Sequence, residues 1–295
     1  MTAVTVLAAP AHEGSLLAQL ARKEIVRYLR HPLFLTGVAL TALPLLAPPD
    51  PAESSLGVVI APAMGLGVFG LVVMASLTRS SDQIAESAGA VAVSERTRTL
   101  ALALAMVVPF AAAVGWFAWA VWAYHHYPAP PNGSPFGGIG DDWAYAVLLA
   151  LAVLPALGGP ALGLVIGRWL PQRGAAPTIA VLLVLETVLM QGWLEPVRYI
   201  RVIAPWVQFT GPYGVPGDAE RMLIFTGSPQ WYAGYLMALT GLGVVAALLH
   251  DREHPRGRLY VVFAVLVLVA VALCLLAMTT GVQSEMVNPL PSSNP

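Results

Sequence analysis

Residues 79–99 read RSSDQIAESAGAVAVSERTRT. Of the 15 basic and 16 acidic residues in the chain, six fall in this short stretch, and apolar runs flank it on both sides. The chain has 295 residues, 57% of them hydrophobic and 11% charged, whereas a soluble domain carries about 25% charged residues. A helix rises ~1.5 Å per residue, so about 20 apolar residues cross a ~30 Å hydrocarbon core. Runs of that kind recur at 32–47, 56–78, 100–124, 143–167, 175–194, 231–249 and 259–280. Seven spans are expected, the first of them short and ending among Pro44 and Pro48. They read as helices, because lipid offers no partner for open backbone groups. Strands would need alternating segments of about 10 residues, which the sequence lacks.

Positive charge sets the orientation. Arg22, Lys23, Arg27 and Arg30 precede the first span; Arg79, Arg96 and Arg98 lie between the second and third; Arg168 and Arg173 between the fourth and fifth; Arg252, Arg256 and Arg258 between the sixth and seventh. These are twelve of the fifteen basic residues, and alternation puts them on one side. Arg198, Arg201 and Arg221 share one long loop on the other. Basic loops stay cytoplasmic, which implies a multi-pass protein of the cell membrane with its N-terminus inside and its C-terminus outside. The N-terminal MTAVTVLAAPAHEG has no basic region ahead of its apolar residues and does not read as a secretory signal.

The charged stretch is then cytoplasmic. Ser80 and Gln83 have capping-box spacing, and Asp82 suits a first helical turn. Ile84, Ala88, Val91 and Ala92 recur at helical spacing, with Asp82, Gln83 and Glu86 on a polar face. A short amphipathic helix across the ends of two spans is expected, with Ser94 capping the next. The plain alternative is a solvated connector. Ahead of the first span, LLAQLARKEIVRYLR (16–30) places Leu17, Ala18, Ala21, Ile25, Tyr28 and Leu29 on one arc and Arg22, Lys23, Arg27 and Arg30 on the other. Such a helix suits the lipid surface.

Within the spans, Gly159, Gly163 and Gly167 stand four apart and favour close helix approach, as do Gly65, Gly67 and Gly70 in the second span. Glu186 interrupts VLLVLETVLMQGW (181–193). A carboxylate at that depth costs ~3 kcal/mol and faces protein or water. It is a pathway or proton site, a partner for an arginine, or an acid that locks helices together. His125 and His126 sit among Trp122, Tyr124 and Tyr127, an interfacial aromatic belt and a poor metal motif. The single cysteine, Cys274, excludes an internal disulfide. Residues 195–230 hold five prolines and four glycines but also Tyr199, Trp206 and Phe209, too apolar for a free linker. GxxxxGK[ST], HExxH, CxxC and GxSxG are absent, so no metal, cofactor, nucleotide or nucleic-acid site is read in the chain.

The order of parts resembles the permease subunit of bacterial type-2 ABC exporters. The telling residues are Asp82, Glu86 and VSERTRTLALALAMVVP (93–109), which look like that family's acidic helix followed by a Val-Ser-Glu-Arg turn and the third span. The resemblance implies an all-α integral membrane protein: a six-helix exporter core over 32–280, plus a seventh C-terminal span and an extracellular tail at 281–295. It implies that residues 79–95 form a coupling helix, with Asp82, Gln83, Glu86, Ser94 and Arg96 toward an ATPase. Residues 1–31 would carry a connecting helix that uses Arg22, Lys23 and Arg27. The 195–230 segment would be re-entrant, with Glu186, Tyr199, Trp206 and Phe209 as translocation or gate residues.

The implied partners are two copies of an ATP-binding subunit holding ATP and Mg, a second permease chain, identical or homologous, and membrane lipid. The implied cargo is hydrophobic or amphiphilic: an antibiotic, a peptide or a lipid-like compound. The chain itself would not be an enzyme. The alternatives are an ion- or proton-coupled carrier working through Glu186, or a membrane-embedded enzyme.

Overall fold

A computed structural model describes residues 10–46, 59–87, 93–127, 140–192, 198–206 and 227–281, without the side chains of 10–13, 86, 191–192 and 198–200. Among the described residues every regular element is helical. The helices are α1 (Pro10–Leu29), α2 (Pro32–Ala42), α3 (Phe69–Ser87), α4 (Glu95–Leu104), α5 (Val107–His126), α6 (Asp141–Leu148), α7 (Leu154–Trp169), α8 (Ala175–Gly192), α9 (Pro229–Leu248) and α10 (Gly257–Thr279). Wide π-helical turns lead into α3 at Ala63–Val68 and join α6 to α7 at Leu149–Val153.

Five of these stretches are long and apolar enough to cross a membrane: Ala63–Ala85, Glu95–His126, Asp141–Trp169, Pro229–Leu248 and Gly257–Thr279. The seven expected spans are therefore matched only in part. α1 and α2 become a sixth only if counted together across a 59° bend. The bend has a local cause. Pro32 disfavours helical geometry in the residue before it and is tolerated in a first turn. His31 is extended at φ −71°, ψ 128°, and its Nδ1 accepts the Leu33 N–H at 3.3 Å. Among the described residues α8 contributes the apolar stretch Ala175–Met190, shorter than a full crossing.

The bundle is organised around α3 and α7. Glycine spacing dictates their contact. A methyl at Gly159 would overlap the Gly67 carbonyl oxygen, one at Gly163 the Leu71 carbonyl oxygen, and one at Gly167 would lie 2.6 Å from Thr78 Cβ. The two backbones touch along this seam, as the four-residue glycine repeat predicts. Gly37 of α2 meets Gly65 in the same manner. α9 packs on α7 and carries α10 on its other side. α10 is the most exposed crossing, with Leu268 70% exposed, and α8 likewise turns Val181, Leu182 and Val188 outward. Apolar faces of this extent suit hydrocarbon.

One local expectation is corrected, a second is only partly described and a third divides. Ser80 does not cap a new helix, because α3 runs without interruption from Phe69 to Ser87. Its hydroxyl donates to the Leu77 carbonyl and accepts from Arg27. Ile84 is not on a covered apolar stripe but 59% exposed, while 88–92 lie outside the described residues. The apolar arc expected on α1 divides: Ala21 and Tyr28 are buried, joined by Glu24, while Ala18 and Leu29 are exposed and open to a lipid surface. Glu24 is covered because it pairs with Arg27 at 2.7 Å.

Candidate functional site at the charged end

One end of the bundle gathers charge from three connections, α3–α4, α7–α8 and α9–α10. α3 continues past its apolar part and presents Arg79 and Asp82 there. α4 begins beside it. Ser94 is extended at φ −60°, ψ 149°, and its Oγ accepts the Thr97 N–H at 3.2 Å, the N-cap that the sequence predicts. α7 ends there with Arg168, and the α9–α10 connection supplies His250 and Asp251. Between them lies a cavity of about 900 Å³.

Asp82 is the hub. Its Oδ1 accepts from Arg168 Nη1 at 2.5 Å and stands 3.7 Å from Arg98 Nη1. The Arg168 side chain is only 1% exposed, Asp82 31%. A buried guanidinium needs such a partner, since an uncompensated interior charge is strongly unfavourable. Arg79 donates to the Gln172 carbonyl at 2.9 Å, tying α3 to the α7–α8 connection.

The N-terminus of α4 is held by the α9–α10 connection. Glu95 meets His250 Nδ1 at 2.6 Å, and Asp251, 3% exposed, accepts the Arg96 N–H at 3.2 Å. Asp251 also accepts from Glu253 N–H at 2.9 Å and His254 at 2.8 Å, while Arg256 donates to its carbonyl at 2.8 Å. Burial acts to raise the Asp251 carboxyl. The Glu253, His254 and Arg96 hydrogen bonds outweigh it, and the carboxyl lies below the usual carboxylate range. Two acids at a helix N-terminus also complement its dipole.

The expected coupling residues thus divide. Asp82 and Gln83 line the cavity, Ser94 caps α4 and Arg96 gives its backbone N–H to Asp251. Glu86 lies on α3, its side chain outside the described residues. From the expected connecting helix, Arg27 reaches Ser80 of α3, Arg22 is exposed, and Lys23 borders a groove of about 300 Å³ between α1, α3 and α4.

Of the expected gate residues, Trp206 and Glu186 are described with their side chains, and neither lines the charged cavity. Trp206 is 5% exposed and holds a left-handed φ of 64°, a conformation that costs a non-glycine residue ~1–3 kcal/mol. Its indole lies against Gly67 and Gly158. It borders an apolar cavity of about 240 Å³ with Leu154, Leu183 and Leu236. The preceding backbone is fixed by Tyr232 and Tyr235, whose hydroxyls donate to the Ala204 and Ile203 carbonyls at 2.8 and 2.7 Å. Glu186 is half-buried on α8 and does not line that cavity. Tyr199 lies in a 3₁₀ turn, Arg198–Ile203, its side chain outside the description, and Phe209 is outside the described residues altogether. His125 and His126 are engaged by Tyr145, at 2.5 Å, and by the stacked Trp122 ring, at 4.8 Å.

Comparison of the chain with protein-family models, with characterised proteins and with solved structures finds no match. Sequence reasoning placed Arg168 among the basic residues of one side without giving it a site role, and passed over His250 and Asp251. The only available signal was a polar residue at the end of an apolar run.

Proposed function

We propose that the chain is the membrane-spanning permease subunit of an ATP-driven exporter, with the charged end at the cytoplasmic face and a hydrophobic or amphiphilic compound as cargo. The motor is a separate ATP-binding subunit, in two copies, beneath two permease chains. The observation that carries this reading is the end of α3. Ile84 is 59% exposed among charged neighbours, next to the exposed Gln83 and beside the groove between α1, α3 and α4. An exposed isoleucine in a polar rim suits a protein partner. A push there meets a helix whose backbone is interlocked with α7, the kind of rigid-body coupling that transmits a two-state change.

The test is purification from native membranes in mild detergent. A cytoplasmic ATPase is expected to co-purify, and its cargo-stimulated hydrolysis to fall at least about fivefold in Ile84→Glu with the chain still in the membrane. Whatever export remains in Glu186→Gln should still depend on ATP. Export that is indifferent to ATP but abolished by Glu186→Gln would replace the proposal with an ion-coupled carrier.

A further inference from the structure

We propose that the charged-end cavity is a binding site for a phosphate-bearing anion. Four guanidiniums, Arg79, Arg98, Arg168 and Arg173, line it against two carboxylates, Asp82 and Glu95. Glu95 is already taken by His250, and Asp82 is shared between Arg168 and Arg98. Positive charge is therefore in excess inside a concave site, where field lines concentrate and counter-ions collect. Arg168 makes the shortage of anions acute. Its side chain is 1% exposed, and its one hydrogen bond among the described residues runs from Nη1 to Asp82. Arg79 and Arg173 contribute the reachable donors, while Arg168 Nε and Nη2 are buried behind the wall, so that Arg168 contributes fixed positive charge. Arg98 Nε is buried in the same condition.

Asp82 Oδ1 is shared by two guanidiniums, one of which also reaches the Ser81 carbonyl at 3.5 Å, and the excess of lining arginines disfavours a cation. A tetrahedral phosphate offers several oxygens at once, and the planar guanidinium fork matches them in pairs. At about 900 Å³ the space exceeds a lone phosphate and admits a larger phosphorylated group. The ligand is either free phosphate or the headgroup of an anionic phospholipid, whose phosphate sits at the level of the helix ends.

The full-length protein, delipidated in neutral detergent, is melted against rising inorganic phosphate and against chloride at matched ionic strength. A second arm compares nanodiscs of phosphatidylcholine alone with nanodiscs containing phosphatidylglycerol. Saturable stabilisation by phosphate over chloride identifies a free-phosphate site, because ligand bound only by the folded state raises the melting temperature. Stabilisation by phosphatidylglycerol alone identifies a lipid headgroup. Both support the proposal only if the apparent affinity falls at least tenfold in Arg79→Gln/Arg173→Gln. These two residues lie at the rim, and Arg79→Gln alone serves if the pair does not fold. No stabilisation in either arm, or equal stabilisation of wild type and variant, overturns it.

Discussion

Asp82→Asn isolates the hub of the charged end. The pair it breaks spans 2.5 Å, with Arg168 1% and Asp82 31% exposed. Removing one member of a fully buried pair costs ~3–5 kcal/mol, and exposed pairs are worth ~0.2–1 kcal/mol. With one partner dry and the other a third wet, an intermediate ~2–3 kcal/mol is expected. Asparagine keeps an acceptor oxygen and returns about 1 kcal/mol, leaving a net loss near ~2 kcal/mol. At roughly 2–4 °C per kcal/mol for a chain of this order of size, the melting temperature in detergent should fall about 4–8 °C. Asp142→Asn, exposed in the first turn of α6, is the control; it gives up only a helix-dipole interaction of ~0.3–1 kcal/mol and should move by under about 4 °C. The double variant Asp82→Asn/Arg168→Gln removes both charges and should lose less than the sum of the single variants, by ~1–2 kcal/mol. Strict additivity, or an Asp82→Asn melt equal to that of Asp142→Asn, would refute the claim that this pair holds α3 to the end of α7.

Gly163→Ala drives a methyl into the Leu71 carbonyl and should lower stability by ~2 kcal/mol or more in a thermal melt. Gly115→Ala, in a helix with open space around it, should raise it by ~0.5–1 kcal/mol. Tyr28 is fully buried, and its hydroxyl makes no hydrogen bond among the described residues. Tyr28→Phe should therefore melt within ~0.5 kcal/mol of wild type or above it, and a loss beyond 1 kcal/mol would reveal a partner for that hydroxyl. Asp251, with a folded pKa below its unfolded value, contributes stability that is fully present above the unfolded value of ~3.9 and lost as pH falls through the folded one. Asp251→Asn should cost ~1–3 kcal/mol at pH 7 and flatten the acid limb of the melting curve below about pH 4. An unchanged acid limb would show that the carboxylate is not selectively stabilised by its three donors.

What could be read from sequence was what depends on neighbours along the chain. The glycines at 159, 163 and 167 announce a close seam because helical spacing alone puts them on one face. Ser94 caps α4 because the bond closes within three residues. Ser80 has the same local pattern, yet Arg27, 53 residues away, takes its hydroxyl and α3 continues through it. Glu24 looks like solvent-facing charge until its pairing with Arg27 and its packing are seen together. The Glu95–His250 and Arg96–Asp251 contacts each join residues 155 apart, a separation no local pattern encodes. Apolar length marked five long crossings, while the first expected span is bent from α1 at Pro32 and the apolar stretch of α8 is described only over Ala175–Met190. The left-handed Trp206 leaves no trace in composition, because nothing about tryptophan favours that backbone.

The α3–α7 seam runs from Thr78 and Gly167 beside the arginines to Gly67 and Gly159 beside Trp206, eight residues or ~12 Å of helix. Backbone carbonyls seated where side chains would be act as teeth in a rack, so neither rod can creep lengthwise past the other without lifting out of mesh. The two rods are therefore built to shift as one piece, and relative sliding is left to the joints of their neighbours.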